Sequence, residues 1–377
     1  MRPINEDEEM DEEEEQKDQI KDCMEQMGKV PMPNKMFTRP VDVNQSHKFG
    51  HKPPGKLGIC YDPIPWTEFF DHKERMDDNV PIYIAGHQGH VFLCMHGAGH
   101  SALSFAALAK NLKQHSTVVA FDFRGHGDNT LENETDLSEE TLVNDAIEVI
   151  KYVSNKFSDA SILLVGHSMG GSIATKAASK VMKEHAGEHW HKQIQGLFVI
   201  DVVEGSAMDA LPFMENIVLS RPQEFKTIQS VVQYGVKSGT VRDIESARAS
   251  MPDQVIPQVE GATGLTKYVW KTDLLASKAY WESWFKGLTQ CFLDVRVPKQ
   301  LLLAGSDRMD KDLTIAQMQG KFKLVVLDNV GHVIHEDQPR RVAEVFHQFL
   351  DQFKIPSKFN EQLVVTSVSG KKVVISH

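Results

Sequence analysis

The sequence contains little cysteine: four residues, Cys23, Cys60, Cys94 and Cys291, among 377. Their spacing does not match a metal site, and four cysteines are too few for a small secreted domain held together by disulfides. We therefore expect a reducing compartment, either the cytosol or the nucleus.

The sequence also lacks a long apolar run and an excess of basic residues. No apolar stretch reaches the length of a membrane span, and the N-terminus is polar and acidic, unlike a signal peptide. Asp and Glu number 52 against 41 Lys and Arg, and the net charge of −11 argues against a basic face that binds nucleic acid. We expect neither a membrane nor a nucleic acid as a partner.

Much of the negative charge lies in one segment, residues 5–22, which reads NEDEEMDEEEEQKDQIKD. A like-charged run with so few apolar residues cannot bury enough surface to offset the entropy of ordering. We predict a mostly disordered acidic tail over residues 1–58, a folded domain over residues 59–355 and a C-terminal tail over residues 356–377.

The predicted folded domain alternates short apolar runs with helical patterns, and 41% hydrophobic residues are enough for a sizeable core. The runs HVFLCMHG, SILLVGHS, GLFVIDVVEG and KQLLLAGSD are rich in Val, Ile and Leu and end in Gly, Asp or His. Such runs are typical of parallel strands buried on both faces. The pattern predicts an α/β fold with a doubly wound, mostly parallel sheet and crossover helices.

Residues 206–290 interrupt this alternation. They contain helical patterns without a strand-like run, and an insertion of this size between two strands usually covers the C-terminal edge of the sheet. We predict a helical lid there. Its aromatic residues are expected to form the core of the lid more often than to contact substrate: Trp270, Tyr280, Trp281, Trp284 and Phe285.

Ser168 lies in the motif GHSMG, between the strand-like SILLV and the helix-like SIATKAASKVM. A serine nucleophile stands in a tight strand-to-helix turn, where side chains two residues before and after it would collide. Gly166 and Gly170 occupy those two positions. The context favours a nucleophile elbow over a turn with an idle serine.

The base that accepts the proton of a serine nucleophile is expected after the last strand. His332 follows such a strand and a glycine in VVLDNVGHVIHED, whereas His335 falls in the first turn of the next helix and is interpreted as a polar residue at a helix start. For a metal site made of His332, His335 and Glu336 no further ligand is indicated elsewhere, so no metal is expected.

Backbone amides are expected to stabilise the oxyanion. The strand VFLCM ends in His-Gly-Ala-Gly at residues 96–99. In α/β hydrolases the loop after this strand and the residue after the nucleophile each provide one N–H group, and we assign these donors to Ala98 and Met169. Arg124 and Asp128, in the loop after the next strand, are interpreted as residues that order that loop.

The carboxylate partner of the histidine stays open on the sequence pattern. Asp307 follows the penultimate strand, and Asp201 follows the strand after the nucleophile helix. Both satisfy the chain order serine, aspartate, histidine. Periodicity and spacing do not choose between them.

Several longer segments resemble the protein phosphatase methylesterase family of α/β hydrolases. They are HGAGHSALSF, GHSMGGSIATKAAS, VIDVVEGSAMDAL, VKSGTVRDIESARASM, YWESWFKGL, LLLAGSDRMDKDLTIAQMQGKF and GHVIHED, and the match covers most of residues 60–350. The resemblance implies a serine carboxylesterase with an α/β-hydrolase fold and a helical lid. It also implies that the family's catalytic serine, aspartate and histidine correspond to Ser168, Asp201 and His332.

The resemblance further implies a substrate. Enzymes of this family remove the methyl ester from the C-terminal leucine of the protein phosphatase 2A catalytic subunit, release methanol, need no cofactor and act when docked on the phosphatase. The His-Gly-Ala-Gly loop departs from the family's three consecutive glycines, which a small alanine should tolerate. Two alternatives stay open: a hydrolase of small esters, and a non-catalytic phosphatase-binding protein on the same scaffold.

Overall fold

The computed structural model describes residues 59–261, 264–305 and 308–358, together with the backbone of two strands further on, Gln362–Thr366 and Lys372–Ser376. Residues 60–377 form one compact unit of the chain, and the fold below is that of this unit. The acidic tail predicted over residues 1–58 lies outside the described residues.

Strands and helices alternate through most of the described chain. The strands are β1 (His72–Met76), β2 (Val80–Ala85), β3 (Val91–Met95), β4 (Thr117–Phe121), β5 (Ile162–His167), β6 (Ile194–Ile200), β7 (Glu224–Phe225), β8 (Val255–Val259), β9 (Thr266–Trp270), β10 (Lys299–Leu303), β11 (Lys323–Val326), β12 (Gln362–Thr366) and β13 (Lys372–Ser376). The α-helices are α1 (Ala106–Leu112), α2 (Glu139–Lys156), α3 (Met169–Glu184), α4 (His189–Lys192), α5 (Glu204–Leu219), α6 (Ile228–Lys237), α7 (Ile244–Ser250), α8 (Trp281–Phe285), α9 (Leu288–Asp294), α10 (Lys311–Met318), α11 (Ile334–Asp337) and α12 (Pro339–Phe353). Over the residues described, none of the helices has the combination of length and apolar character that crossing a bilayer requires.

Eight of the described strands form the central sheet, in the order β1-β2-β4-β3-β5-β6-β10-β11. β2 pairs with both β1 and β4 in antiparallel orientation, and the remaining neighbours are parallel. Every residue of β3, β4 and β5 is buried, because helices cover both faces of a doubly wound sheet. The predicted doubly wound, mostly parallel sheet is confirmed.

The helices cover the two faces of this sheet in separate groups. α2 and α3 pack into the core on one face, and α1 and α12 pack into the core on the other. α2 begins after Ser138, whose side chain accepts a hydrogen bond from Thr141 N, and its first turn contains Glu139 and Glu140. Its buried residues recur at helical spacing and include Leu142, Ala146, Ile150 and Val153.

The segment between β6 and β10 contains the predicted lid, residues 206–290, and differs from the prediction in one respect. β7, β8 and β9 form a small antiparallel sheet in the order β7-β9-β8, so the prediction of helices alone is wrong here. All residues of β8 after the first are exposed, and the strand contains Pro257 and Gln258. No apolar run therefore marks it in the sequence, and pairing with β9 holds it in place.

Four of the five aromatic residues expected to form the core of the lid divide into two groups. Trp281, Trp284 and Phe285 are buried in the core that also contains residues of α2 and α3. α8 therefore closes one face of the main domain rather than filling a separate lid. Trp270 belongs to the small sheet and packs edge-on against Phe225, with 5.4 Å between the ring centroids.

Replacing Trp284 by alanine tests the role of α8 in the core. The indole is fully buried, its Nε1 donates to Leu137 O over 2.7 Å, and Ser172 Oγ of α3 donates to the carbonyl oxygen of Trp284. We expect Trp284→Ala to lower the free energy of unfolding, measured by urea denaturation, by about 3–5 kcal/mol. Phe213→Ala, at a residue that is 62% exposed, should change it by less than about 0.5 kcal/mol. Equal losses in the two variants would contradict this role.

Candidate active site

Ser168 stands between β5 and α3 in a strained backbone conformation. Its φ of 52° and ψ of −122° lie in a region that residues with a side chain rarely adopt. A Cβ on Gly166 would lie 2.2 Å from Gly170 O, and a Cβ on Gly170 would lie 2.2 Å from Met95 O. Both positions therefore require glycine. This is the geometry expected of a nucleophile elbow.

Asp201 and His332 form a hydrogen-bonded pair. Asp201 directly follows β6, and His332 lies in the loop after β11. His332 Nδ1 donates to Asp201 Oδ2 over 2.8 Å, because a carboxylate oxygen only accepts. The lone pair of the ring is then on Nε2, as a general base requires. Asp201 is buried, whereas the His332 side chain is 49% exposed, so the basic nitrogen belongs to a ring that solvent and substrate reach.

Asp201 accepts two further hydrogen bonds. Ala304 N donates to Oδ1 over 2.9 Å, and Arg308 Nη1 donates over 2.6 Å to Oδ2, the oxygen that also accepts from His332. Three donors hold the buried carboxylate in one orientation. The sequence pattern did not single out Arg308, and its only signal was its place in the segment DRMD after β10. Asp307, the other candidate acid, lies outside the described residues.

The loop at residues 97–100 lies against the nucleophile. A Cβ on Gly97 would lie 3.2 Å from Ser168 Cβ, so the loop backbone and the elbow are in contact. Ala98 follows Gly97, and Met169 is the first residue of α3. Within the described chain, neither Ala98 N nor Met169 N donates a hydrogen bond. Among the described residues, both predicted oxyanion donors are therefore free beside the nucleophile.

The Ser168 hydroxyl and the His332 ring are not hydrogen-bonded to each other. Over the residues that the structure describes, Ser168 Oγ has no hydrogen-bond partner, and the ring of His332 is held through Nδ1 alone. Catalytic hydrogen bonds in a free enzyme are often long and tighten when substrate binds. The half-exposed imidazole is the group that has room to close this gap.

His167, the residue before the nucleophile, holds the segment that carries His332. Its Nε2 donates to the carbonyl oxygen of His332 over 2.9 Å, and the two ring centroids are 4.6 Å apart. Burial lowers the pKa of His167 well below its ordinary value, and the neighbouring histidines lower it further. The ring is therefore neutral at neutral pH, with its proton on Nε2. In the sequence this residue stood out only as part of the GHSMG motif.

His335 lies in α11, as predicted, but in a different environment from the one predicted. It is fully buried and stacks on Phe105 with 4.5 Å between the ring centroids. Neither ring nitrogen has a hydrogen-bond partner among the described residues. Burial lowers the pKa of His335 well below its ordinary value. The predicted position of His335 at a helix start is therefore correct, but the residue is buried in an aromatic environment that the sequence did not indicate.

Glu336 is also buried and contacts α7 and the loop that carries Ala98. Ser250 Oγ of α7 donates to its Oε2, and its Oε1 lies 3.6 Å from His100 Nδ1. Burial raises the pKa of Glu336. Among the described residues, no group of three or more His, Cys, Asp or Glu side chains is arranged to hold a metal ion. The carboxyl group of Glu336 thus joins two structural segments.

Arg124 and Asp128 lie in the loop after β4, where they were predicted to order the chain. Arg124 forms two hydrogen bonds of 2.9 Å with Asp145 and donates over 2.7 Å to Glu132 O. Asp128 pairs with Lys73 of β1 over 2.5 Å. Both side chains are therefore engaged in contacts that hold this loop to α2 and to the edge of the sheet.

The chain is similar to proteins of known family over most of its length. A family model described as the alpha/beta hydrolase family matches residues 91–345. The chain is 38% identical over 336 residues to the Bos taurus protein named protein phosphatase methylesterase 1, covering 77% of this chain and 86% of that protein. It is 41% identical over 297 residues to the Caenorhabditis elegans protein named probable protein phosphatase methylesterase 1, covering 78% of each.

Solved structures are similar at the level of the fold. The crystal structure of E-2-(acetamidomethylene)succinate hydrolase superposes with a TM-score of 0.59 over 74% of this chain and 99% of that chain. The sequence identity is 20%, so this likeness concerns the fold alone. With the family model, it confirms the predicted α/β-hydrolase fold.

Asp201→Asn tests the acid of the site. An amide keeps the size of the side chain but loses the charge and favours the wrong tautomer of His332. We expect the rate at which a fluorophosphonate probe labels Ser168 to fall by about 1,000-fold or more, as measured by mass spectrometry. Glu344→Gln alters an exposed ion pair with Arg340 on α12 and should leave the rate within about twofold. Equal rates in the two variants would argue against Asp201 as the acid.

His335→Leu tests whether the buried imidazole is neutral. The native state keeps His335 unprotonated, whereas the unfolded chain binds a proton below pH about 6.5. Protonation of His335 in the unfolded chain therefore lowers the free energy of unfolding as the pH falls. In the variant, the free energy of unfolding should fall less steeply between pH about 6.5 and about 5, by up to about 1.4 kcal/mol per pH unit, in urea titrations. If the variant and the wild type lose stability with the same slope against pH, His335 is not neutral in the native state.

Proposed function

Because this chain belongs to the protein phosphatase methylesterase family of α/β hydrolases, we propose that it hydrolyses a methyl ester carried by a protein phosphatase. The finer part of the proposal is the substrate, the methylated C-terminal leucine of the protein phosphatase 2A catalytic subunit. The observation that carries the chemistry is the hydrogen bond of 2.8 Å between His332 and Asp201, together with a serine in the elbow conformation.

In the proposed mechanism, hydrolysis proceeds through an acyl-enzyme. His332 Nε2 takes the proton of Ser168 as Oγ attacks the leucyl carbonyl carbon, and the amides of Ala98 and Met169 donate to the oxyanion. The imidazolium, held by Asp201, then gives its proton to the methoxy oxygen as the C–O bond breaks, and methanol leaves. Water, deprotonated by His332, attacks the acyl carbon, and the imidazolium returns the proton to Ser168 Oγ as the acyl bond breaks and the leucine carboxylate is freed.

The phosphatase is also the proposed partner that completes the site. Ser168 and His332 form no hydrogen bond across the described residues, and we propose that docking of a protein substrate over the half-exposed imidazole brings the two together. The proposed location is the cytosol or the nucleus. The three cysteines that the structure describes, Cys60, Cys94 and Cys291, are unpaired, which suits a reducing compartment.

Demethylation of the phosphatase tests the proposal. The substrate is the protein phosphatase 2A catalytic subunit carrying a radiolabelled methyl ester on its C-terminal leucine, and the measurement is labelled methanol released. We expect release with the wild-type chain, and with Ser168→Ala a rate lower by about 1,000-fold or more, because the nucleophile is gone. Glu344→Gln, at an exposed ion pair on α12, is the folded control and should release methanol at the wild-type rate.

Three other outcomes would point elsewhere. Release unaffected by Ser168→Ala would exclude serine catalysis. Hydrolysis of small esters by the wild-type chain without release of methanol from the phosphatase would favour a small-ester hydrolase. Binding of the phosphatase without hydrolysis of either substrate would favour a non-catalytic binding protein.

A further inference from the structure

Two buried histidines hold the loop that carries Ala98. His96 Nδ1 donates to Gly97 O over 2.8 Å, and Gly99 N donates to His126 Nε2 over 2.9 Å. The polar groups on either side of Ala98 are therefore occupied by imidazoles. The N–H of Ala98 itself has no partner within the described residues.

The surrounding hydrogen bonds determine the tautomer of both rings. His126 Nδ1 lies 2.8 Å from Arg124 O and donates to it, so Nε2 carries the lone pair that accepts from Gly99. His96 Nε2 accepts from Phe123 N over 3.0 Å, so its Nδ1 carries the proton. Burial lowers the pKa of His126 to about 4 and that of His96 well below its ordinary value. Both rings are neutral at neutral pH, the state in which His126 is able to accept.

A second contact binds the segment that carries His126 to Ala102, which lies just beyond the same loop. The buried carboxyl group of Asp122 accepts from Ala102 N over 2.7 Å and from Asp128 N over 3.0 Å. A Cβ on Gly127 would lie 2.4 Å from the Asp122 carboxyl carbon, so the turn packs directly on this group. His126 is thus attached to a rigid support, and its Nε2 is a fixed point against which the loop is placed.

We propose that His126 is a positioning residue of the oxyanion hole: its Nε2 accepts the N–H of Gly99 and thereby leaves the N–H of Ala98 for the oxyanion. Gly99 has a φ of 75°, and a loop of small residues with such a glycine has several accessible conformations. The acceptor on His126 selects one of them. The inference rests on the serine-ester hydrolysis proposed above. It goes beyond that proposal because it names the group that decides which backbone N–H donates to the oxyanion.

Kinetics can distinguish this positioning role from the role of an ordinary core histidine. Oxyanion contacts strengthen in the transition state, so their loss lowers kcat and leaves KM nearly unchanged. A histidine that only stabilises the fold would, when replaced, lower the free energy of unfolding and leave kcat per folded molecule as it was. Measuring kcat, KM and the free energy of unfolding of the same variant therefore distinguishes the positioning role from the structural one.

Two amide substitutions at position 126 provide the test. In His126→Gln the terminal amide falls near the place of Nε2 and offers an oxygen to Gly99 N, whereas in His126→Asn it falls near the place of Nδ1 and offers none. The substrate is p-nitrophenyl acetate, with kcat counted per folded molecule. We expect His126→Asn to lower kcat about 100-fold, the usual cost of one oxyanion donor, and His126→Gln to stay within about tenfold of wild type. KM should change by less than about twofold in both.

The matched control is His90, at the other end of the strand that leads to the loop. Its Nε2 contacts Ile355 O over 2.8 Å, and His90→Asn and His90→Gln should both retain the wild-type kcat. Equal kcat values for His126→Asn and His126→Gln, or a change confined to KM, would overturn the inference. If His126→Asn does not fold, a folded His126→Gln whose kcat is about 100-fold lower than that of the wild type overturns the inference by itself. Failure of the methylesterase proposal would appear instead as no methanol release by the wild-type chain.

Discussion

The close backbone contact between the first turn of α3 and the end of β3 determines the geometry of the site. A Cβ on Gly170 would lie 2.2 Å from Met95 O and 2.5 Å from His96 O, so helix and strand meet with no side chain between them. Met95 and His96 lead directly into the loop that carries Ala98, and Gly170 follows Ser168 by two residues. One contact therefore sets the nucleophile and the oxyanion loop relative to each other.

Neutral imidazoles supply many of the polar contacts around this point. Burial lowers the pKa of these rings: His96, His126, His167 and His335. A neutral ring buries one donor and one acceptor without the large desolvation cost of a charge. His96, His126 and His167 use these nitrogens to hold backbone groups near the nucleophile. His332 differs, since it is half-exposed and bound through Nδ1 to Asp201. In the proposed mechanism, positioning and proton transfer are thus divided between the buried histidines and the half-exposed His332.

The parts of the fold that sequence predicted are those with local signals. The buried parallel strands read as continuous apolar runs, and the elbow reads as two glycines around a serine. β8 has no such signal, because it is exposed, contains Pro257 and exists through its pairing with β9. Arg308 had no signal beyond its place after β10, because its contact with Asp201 joins residues 107 positions apart in the chain. His167 was marked only by the GHSMG motif and His126 by nothing, because the backbone groups that they hold, His332 O and Gly99 N, lie in other segments.

By itself, the sequence determined the fold class, the family, the serine in its elbow and the histidine after the last strand. The spacing of the residues left the acid open, since Asp201 and Asp307 both satisfy the chain order, and only the family resemblance favoured Asp201. The contact between Asp201 and His332 exists because β6, β10 and β11 are neighbours in the sheet, and the acceptor of Gly99 exists because β4 lies beside β3. Local spacing specifies turns and faces, whereas the order of the strands decides which side chains meet at their ends. That order, and with it the support of the oxyanion loop, came from the tertiary structure alone.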